Sequence, residues 1–298
     1  MNERWATYHR RVRNGAQPAL DADQPNVRFG SKTQYPLWAV SGHCGVRNER
    51  TAEKSVALFA IASLVVGAYI ATKAFGSEWS CLLTDIVTAG DRDVFLVVDV
   101  QNDFCPGGNL AVPRGNEVIP LINRIAKTFQ HVVLTQDWHP RDHQSFASSH
   151  GKQHFQTIDV SYGKQILWPD HCVQHTAGAD FHSELHIPHA ELVLRKGFHR
   201  EIDSYSAFYE NDRKTVTGLS GYLRERGFTR VFIAGLAFDF CVRYSAEDAQ
   251  REGFDVIVIE DACRSIDMNG SEEATRHRFK SLGIRCVLAD NVRGEVVR

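Results

Sequence analysis

From about residue 91 onward, this chain alternates short unbroken apolar runs with stretches of helical spacing. Val94-Phe95-Leu96-Val97-Val98 ends in Asp99, and an apolar run closed by a polar residue reads as a parallel strand buried on both faces. Residues 117–129 place Val118, Leu121, Ile122 and Ile125 on one helical face. Further strands are predicted at 131–135, 191–194, 231–234, 255–259 and 285–288. Further helices are predicted at 215–226 (closed by Gly227), 242–250 and 271–282. Strands alternating with helices predict an α/β fold with a mainly parallel six-stranded sheet and helices on both faces. Ligands of such sheets bind beyond the carboxyl ends of the strands.

Residues 1–90 break this pattern and read as an N-terminal extension to a domain spanning 91–298. Residues 1–54 hold nine Lys/Arg and five Asp/Glu with little apolar periodicity, so they are expected to be largely irregular. Residues 55–72 carry no charge and predict an apolar helix near 55–75. That run falls just short of the roughly 20 apolar residues a membrane span needs. It reads either as a helix packed on the protein or a partner, or as a membrane contact with the basic N-terminus inside. It lies too far along the chain for an ordinary signal peptide.

Composition narrows the partners. With 43% hydrophobic and 23% charged residues the chain can bury a full core, and a net charge of −2 gives no electrostatic case for nucleic acid. The seven cysteines are odd in number and form no CxxC pair, which disfavours a cysteine-rich zinc site and suits reduced thiols in a cytoplasmic setting. Membrane anchoring through 55–72 is the alternative location. A small-molecule substrate remains, with a homo-oligomer left open.

Several chemistry-bearing residues fall at or just past predicted strand ends. Cys241 follows the run at 231–235 and the turn at 236–240, and it opens a helix whose positive end would favour the thiolate. Asp99 could take a thiol proton, although a strand-end aspartate more often bonds the turn that follows it. Lys196 could hold a thiolate and orient Asp99; a solvated lysine is the commoner fate, and alternation allows only one of Arg195 and Lys196 to face the site. Asp137 and His139 lie two apart on one side of an extended segment, with His143 and His171 further on. A mixed Asp/His set with open positions suits zinc, iron or manganese. A D-x-H spacing alone carries little weight, and its place after a strand adds to it. No G-x-G-x-x-G follows the first strand, which disfavours a dinucleotide site.

Six ordered blocks carry a family resemblance. They are Asp99-Val100-Gln101-Asn102-Asp103-Phe104 with Pro106-Gly107-Gly108; Thr135-Gln136-Asp137-Trp138-His139-Pro140 with His143, Ser145 and Phe146; Trp168-Pro169-Asp170-His171-Cys172-Val173; Lys196-Gly197; Asp203-Ser204-Tyr205-Ser206-Ala207-Phe208; and Gly235-Leu236-Ala237 through Asp239, Cys241 and Val242. From about residue 91 the chain resembles the nicotinamidases of the isochorismatase-like cysteine hydrolases, and the resemblance does not reach residues 1–90.

The resemblance implies a catalytic triad of Asp99, Lys196 and Cys241. It implies one divalent metal ion on Asp137, His139 and His171, zinc foremost and iron or manganese otherwise, with His143 a ligand directly or through water. Phe104, Trp168, Tyr205 and Leu236 would hold a pyridine ring. A cis peptide at Leu236-Ala237 would aim the N–H groups of Ala237 and Cys241 at an oxyanion. The expected reaction is hydrolysis of nicotinamide, and of pyrazinamide beside it, through a cysteine thioester, with the metal positioning the ring nitrogen, as a step of NAD salvage. Phe238, Phe240 and Ser245 depart from the commoner residues at their positions, which bears on the choice of ring. The rival expectations are a related hydrolase acting on isochorismate, a carbamoyl amide or a ureide, and a non-catalytic, membrane-tethered metal-binding protein.

Overall fold

A computed structural model describes residues 86–295. The readings for the extension, including residues 55–72 and their membrane alternative, lie outside the described residues apart from its last five positions. Among the described residues no helix is long and apolar enough to cross a membrane. The strands are β1 (Val87–Ala89), β2 (Asp93–Val98), β3 (Val132–Asp137), β4 (Thr157–Val160), β5 (Gly163–Ile166), β6 (Leu192–Lys196), β7 (Arg230–Leu236), β8 (Asp255–Arg264), β9 (Arg285–Val287) and β10 (Val292–Gly294). The α-helices are α1 (Val118–Ala126), α2 (Leu219–Glu225), α3 (Arg243–Arg251) and α4 (Ser271–Leu282).

The main sheet has six strands in the order β6-β3-β2-β7-β8-β9, every pair parallel. From β2 the chain steps outward through β3 to β6, then returns to β7 and steps the other way to β8 and β9. Right-handed crossovers therefore put α1 on one face and α2, α3 and α4 on the other. The reversal between β2 and β7 opens a crevice at the carboxyl ends of the central strands. Every residue of β2 is buried, as the unbroken apolar run required.

Four features differ from the sequence expectation. The helix expected from 215 begins at Leu219 because residues 215–217 bond back to an earlier loop: Glu210 N–H donates to the Thr215 carbonyl and Thr217 N–H to that of Phe208. β8 continues to Arg264, past Glu260 and Asp261 that close its apolar run. Its register against β7 shifts between Ile233 and Gly235, so Gly235 pairs with Cys263. Gly235 has φ +130, and a β-carbon there would overlap the Val98 carbonyl oxygen. Only glycine permits that close approach. The antiparallel pair β4–β5 and the parallel pair β1–β10 were not foreseen. β4 alternates exposed and half-buried positions, and β1 has three residues, too few for a periodic signal. β1 lies in the stretch read as irregular extension, and its partner β10 stands at the far end of the chain.

Candidate active site

The rim formed by the ends of β2, β3, β6 and β7 is centred on Lys196. Its side chain is fully buried, and in-register pairing with Asp137 places it beside the end of β3. Nζ lies 2.8 Å from Asp99 Oδ2, 2.5 Å from Asp137 Oδ1, 3.0 Å from the Ser204 carbonyl and 3.5 Å from Cys241 Sγ. Burial alone would lower the Lys196 pKa, but Asp137 and Asp99 outweigh it and hold the ammonium well above its usual value. Arg195 points the other way, its guanidinium over the Trp138 ring, as strand alternation requires.

Asp99 has φ +48, a left-handed conformation that aspartate tolerates better than most residues. Thr135 holds it there: its hydroxyl donates to Asp99 Oδ1 at 2.6 Å and accepts the Asp99 N–H at 3.1 Å. Asp99 Oδ2 lies 2.8 Å from the Lys196 ammonium. Burial, with the charge of Asp137 added, lifts Asp99 above the usual carboxylate value despite Lys196. Oxygens of Asp99 and Asp137 and the sulfur of Cys241 all lie within 4.8 Å of one another.

Cys241 sits in a π-helical turn, Phe238–Val242, that runs into α3. Here the expectation of a ready thiolate is corrected. Burial raises the Cys241 thiol well above its usual value, and Lys196 offsets only part of that. The resting group is a thiol that needs a base.

Asp137, His139 and His171 present one oxygen and two nitrogens within 4.8 Å of one another. Asp137 divides its carboxylate. Oδ1 bonds Lys196, while Oδ2 lies 3.6 Å from His139 Nε2 and 3.9 Å from His171 Nε2. His139 Nδ1 donates to the Gly197 carbonyl and His171 Nδ1 to that of Pro169, each at 2.7 Å. In the neutral rings this leaves both Nε2 lone pairs beside Oδ2, the orienting pattern typical of metal-ligating histidines. Gly197, at φ +66, leaves the room that His139 occupies; a β-carbon there would overlap the imidazole. The donor set fits a small divalent cation.

His143 lies outside that set. It groups instead with His139 and Asp203. Its Nδ1 faces two donors, the Ser145 hydroxyl and N–H, and its Nε2 faces the Ile202 carbonyl at 3.3 Å. That second group, like the first, offers ligand atoms within 4.8 Å of one another.

Cys241 and Ala237 open onto a small pocket. Phe104, Trp168 and Tyr205 line it as the resemblance implies, and Leu110, Asp203, Phe240 and Ile266 line it as well. Trp168 donates from Nε1 to the Tyr205 hydroxyl at 3.1 Å. Phe240 meets both rings edge-on, with centroids 5.0 Å from Trp168 and 5.7 Å from Tyr205. Leu236 is a correction: it is fully buried, does not line the pocket, and packs at Gly115 on the core side of β7. The Leu236-Ala237 peptide is cis.

Sequence reasoning missed the supports. Gln101 clamps Asp137 by its backbone, accepting the N–H and donating to the carbonyl, each at 2.8 Å. Asp203 accepts from Gln165 at 2.8 Å and from the Ser204 N–H at 2.8 Å. Gln101, Thr135 and Asp203 all stand inside the recognised blocks, so a signal was present. Ile266 and Leu110 stand outside them, and only the fold brings them in.

Comparison with known proteins gives a consistent picture. Residues 93–289 match the isochorismatase domain. The nicotinamidase of Acinetobacter baylyi is 54% identical over 198 residues, covering 66% of this chain and 92% of that protein. A solved nicotinamidase/pyrazinamidase of Acinetobacter baumanii superposes with a TM-score of 0.68 at 52% identity, covering 68% of this chain and 99% of that one. The pyrazinamidase of Pyrococcus horikoshii, solved in complex with zinc, gives 0.55 at 34% identity over 66% of this chain and 99% of its own. The chain belongs to the isochorismatase domain family, among relatives that are nicotinamidases.

Proposed function

We propose that this chain is a nicotinamidase, an amidohydrolase converting nicotinamide and water to nicotinate and ammonia, with pyrazinamide as a second substrate. One observation carries the reading: a buried ammonium touches two carboxylates and a thiol at the floor of a small aromatic pocket. The aromatic lining suits a planar heteroaromatic amide better than a ureide.

Asp99 takes the proton of Cys241 as the sulfur attacks the amide carbon. Lys196 stays cationic throughout, steadies the sulfur anion and keeps both carboxylates in place. Backbone N–H groups of Ala237 and Cys241 hold the oxyanion. Asp99 returns the proton to the departing ammonia and leaves a thioester. It then deprotonates a water that attacks this thioester, and the proton passes back to Cys241 as nicotinate leaves. Asp137 Oδ2 and the Nε2 atoms of His139 and His171 would hold a divalent ion, zinc foremost. When bound it supplies a Lewis-acid anchor for a ring nitrogen, so its share is mainly positioning.

The test is ammonia release from nicotinamide. Cys241→Ala should abolish it while metal content stays unchanged. Turnover retained by that variant would remove Cys241 from the mechanism.

A further inference from the structure

Asp239 lies two residues before Cys241 and takes no part in the steps above. It is 1% exposed, and its carboxylate gathers three hydrogen bonds from the segment after β8 and the first residue of α4. Ile266 N–H donates to Oδ1 at 3.1 Å, Asp267 N–H to Oδ2 at 2.8 Å, and the Ser271 hydroxyl to Oδ2 at 2.5 Å. That segment holds three left-handed residues, Asp267 at φ 55, Asn269 at φ 54 and Gly270 at φ 80. Residues bearing side chains keep such a conformation where their surroundings over-determine it.

The tethered segment is also a pocket wall. Ile266 lines both the reaction pocket and a wider outer cleft. The two neighbours of Asp239 divide likewise, Phe238 lining the outer cleft and Phe240 the inner pocket. One carboxylate therefore joins the nucleophile's turn to the partition between the two spaces.

We propose that Asp239 is a positioning residue that locks the segment from Ile266 to Ser271 onto the nucleophile's turn, keeping Ile266 as the partition that limits ring size. This deepens the nicotinamidase reading and rests on it. The pocket selects pyridine carboxamides that carry no substituent on the ring edge facing Ile266. A substituted ring would need the outer cleft.

The experiment measures kcat and KM for nicotinamide and its ring-methyl isomers with the unaltered chain, Ile266→Ala, Asp239→Asn and Ser271→Ala. Ile266→Ala should raise kcat/KM for at least one methyl isomer about tenfold relative to nicotinamide, the scale of one methyl group in an apolar site. Asp239→Asn should shift that ratio the same way. It should raise the nicotinamide KM more than it lowers kcat, with Cys241 alkylation by iodoacetamide unchanged. Ser271→Ala, which removes one bond of the three, should do the same more weakly. If Asp239→Asn fails to fold, the other two variants carry the test. An unchanged ratio in Ile266→Ala overturns the inference alone. So does a ratio unchanged in Asp239→Asn and Ser271→Ala, which would leave the tether a purely structural one. Absence of nicotinamide turnover by the unaltered chain overturns the functional reading, and this inference with it.

Discussion

At the scale of residues, the site depends on one buried cation shared by several anionic groups. Lys196 offsets the cost of burying Asp99 and Asp137, and in return those carboxylates keep it charged. Because Cys241 is held as a thiol, turnover depends on Asp99 being ionised. Its pKa lies above the ordinary 3.8, so kcat/KM should fall as pH drops through a point above 3.8, when the base becomes protonated. Asp99→Asn should lower kcat/KM by about 10²–10⁴ and lose that acid limb. A limb that survives in Asp99→Asn would assign it to another group. The split carboxylate of Asp137 yields a second prediction. Dialysis against a chelator should raise the nicotinamide KM and lower kcat, and added zinc should restore both. Activity indifferent to metal removal would leave Asp137, His139 and His171 as a hydrogen-bonded cluster only.

At the scale of elements, strand ends aim the chemistry and tight backbone contacts set their register. β2 contributes Asp99, β3 Asp137, β6 Lys196 and β7 the turn to Cys241. The register shift at Gly235 lets β8 run on to Arg264 and deliver Ile266 to the pocket. Gly235→Ala forces a β-carbon against the Val98 carbonyl, next to Asp99. It should cost on the order of 3–5 kcal/mol and lower Tm accordingly. An unchanged Tm would show that β2 and β7 can separate there without penalty. The strand ends were legible in the sequence because buried parallel strands write themselves as apolar runs. The supporting contacts of Gln101 and Thr135 were not, since a polar side chain does not announce which backbone it will clamp.

At the scale of the whole molecule, the described fold spans residues 86–295, slightly wider than the 93–289 that match the family. The pairing of β1 with β10 ties the start of that fold to its end. We propose that residues 86–298 suffice for turnover. A chain shortened to 86–298 should keep kcat/KM for nicotinamide within about twofold, because every site residue named above lies inside it. Shortening to 91–298 removes β1 and should lower Tm relative to 86–298. A large loss of turnover in 86–298 would give the extension a part in the site.

By itself the sequence determined the α/β class, the parallel sheet, and the rim where Asp99, Asp137, Lys196 and Cys241 meet. Those features rest on periodicity and on ordered motifs, which are local and survive being read one residue after another. Tertiary structure alone decided that Cys241 rests as a thiol, that His143 groups with His139 and Asp203, and that Leu236 faces the core. It also brought Ile266 to the pocket wall and bonded it to Asp239. Each of these turns on burial or on a contact between distant segments, and neither quantity exists until the chain has folded.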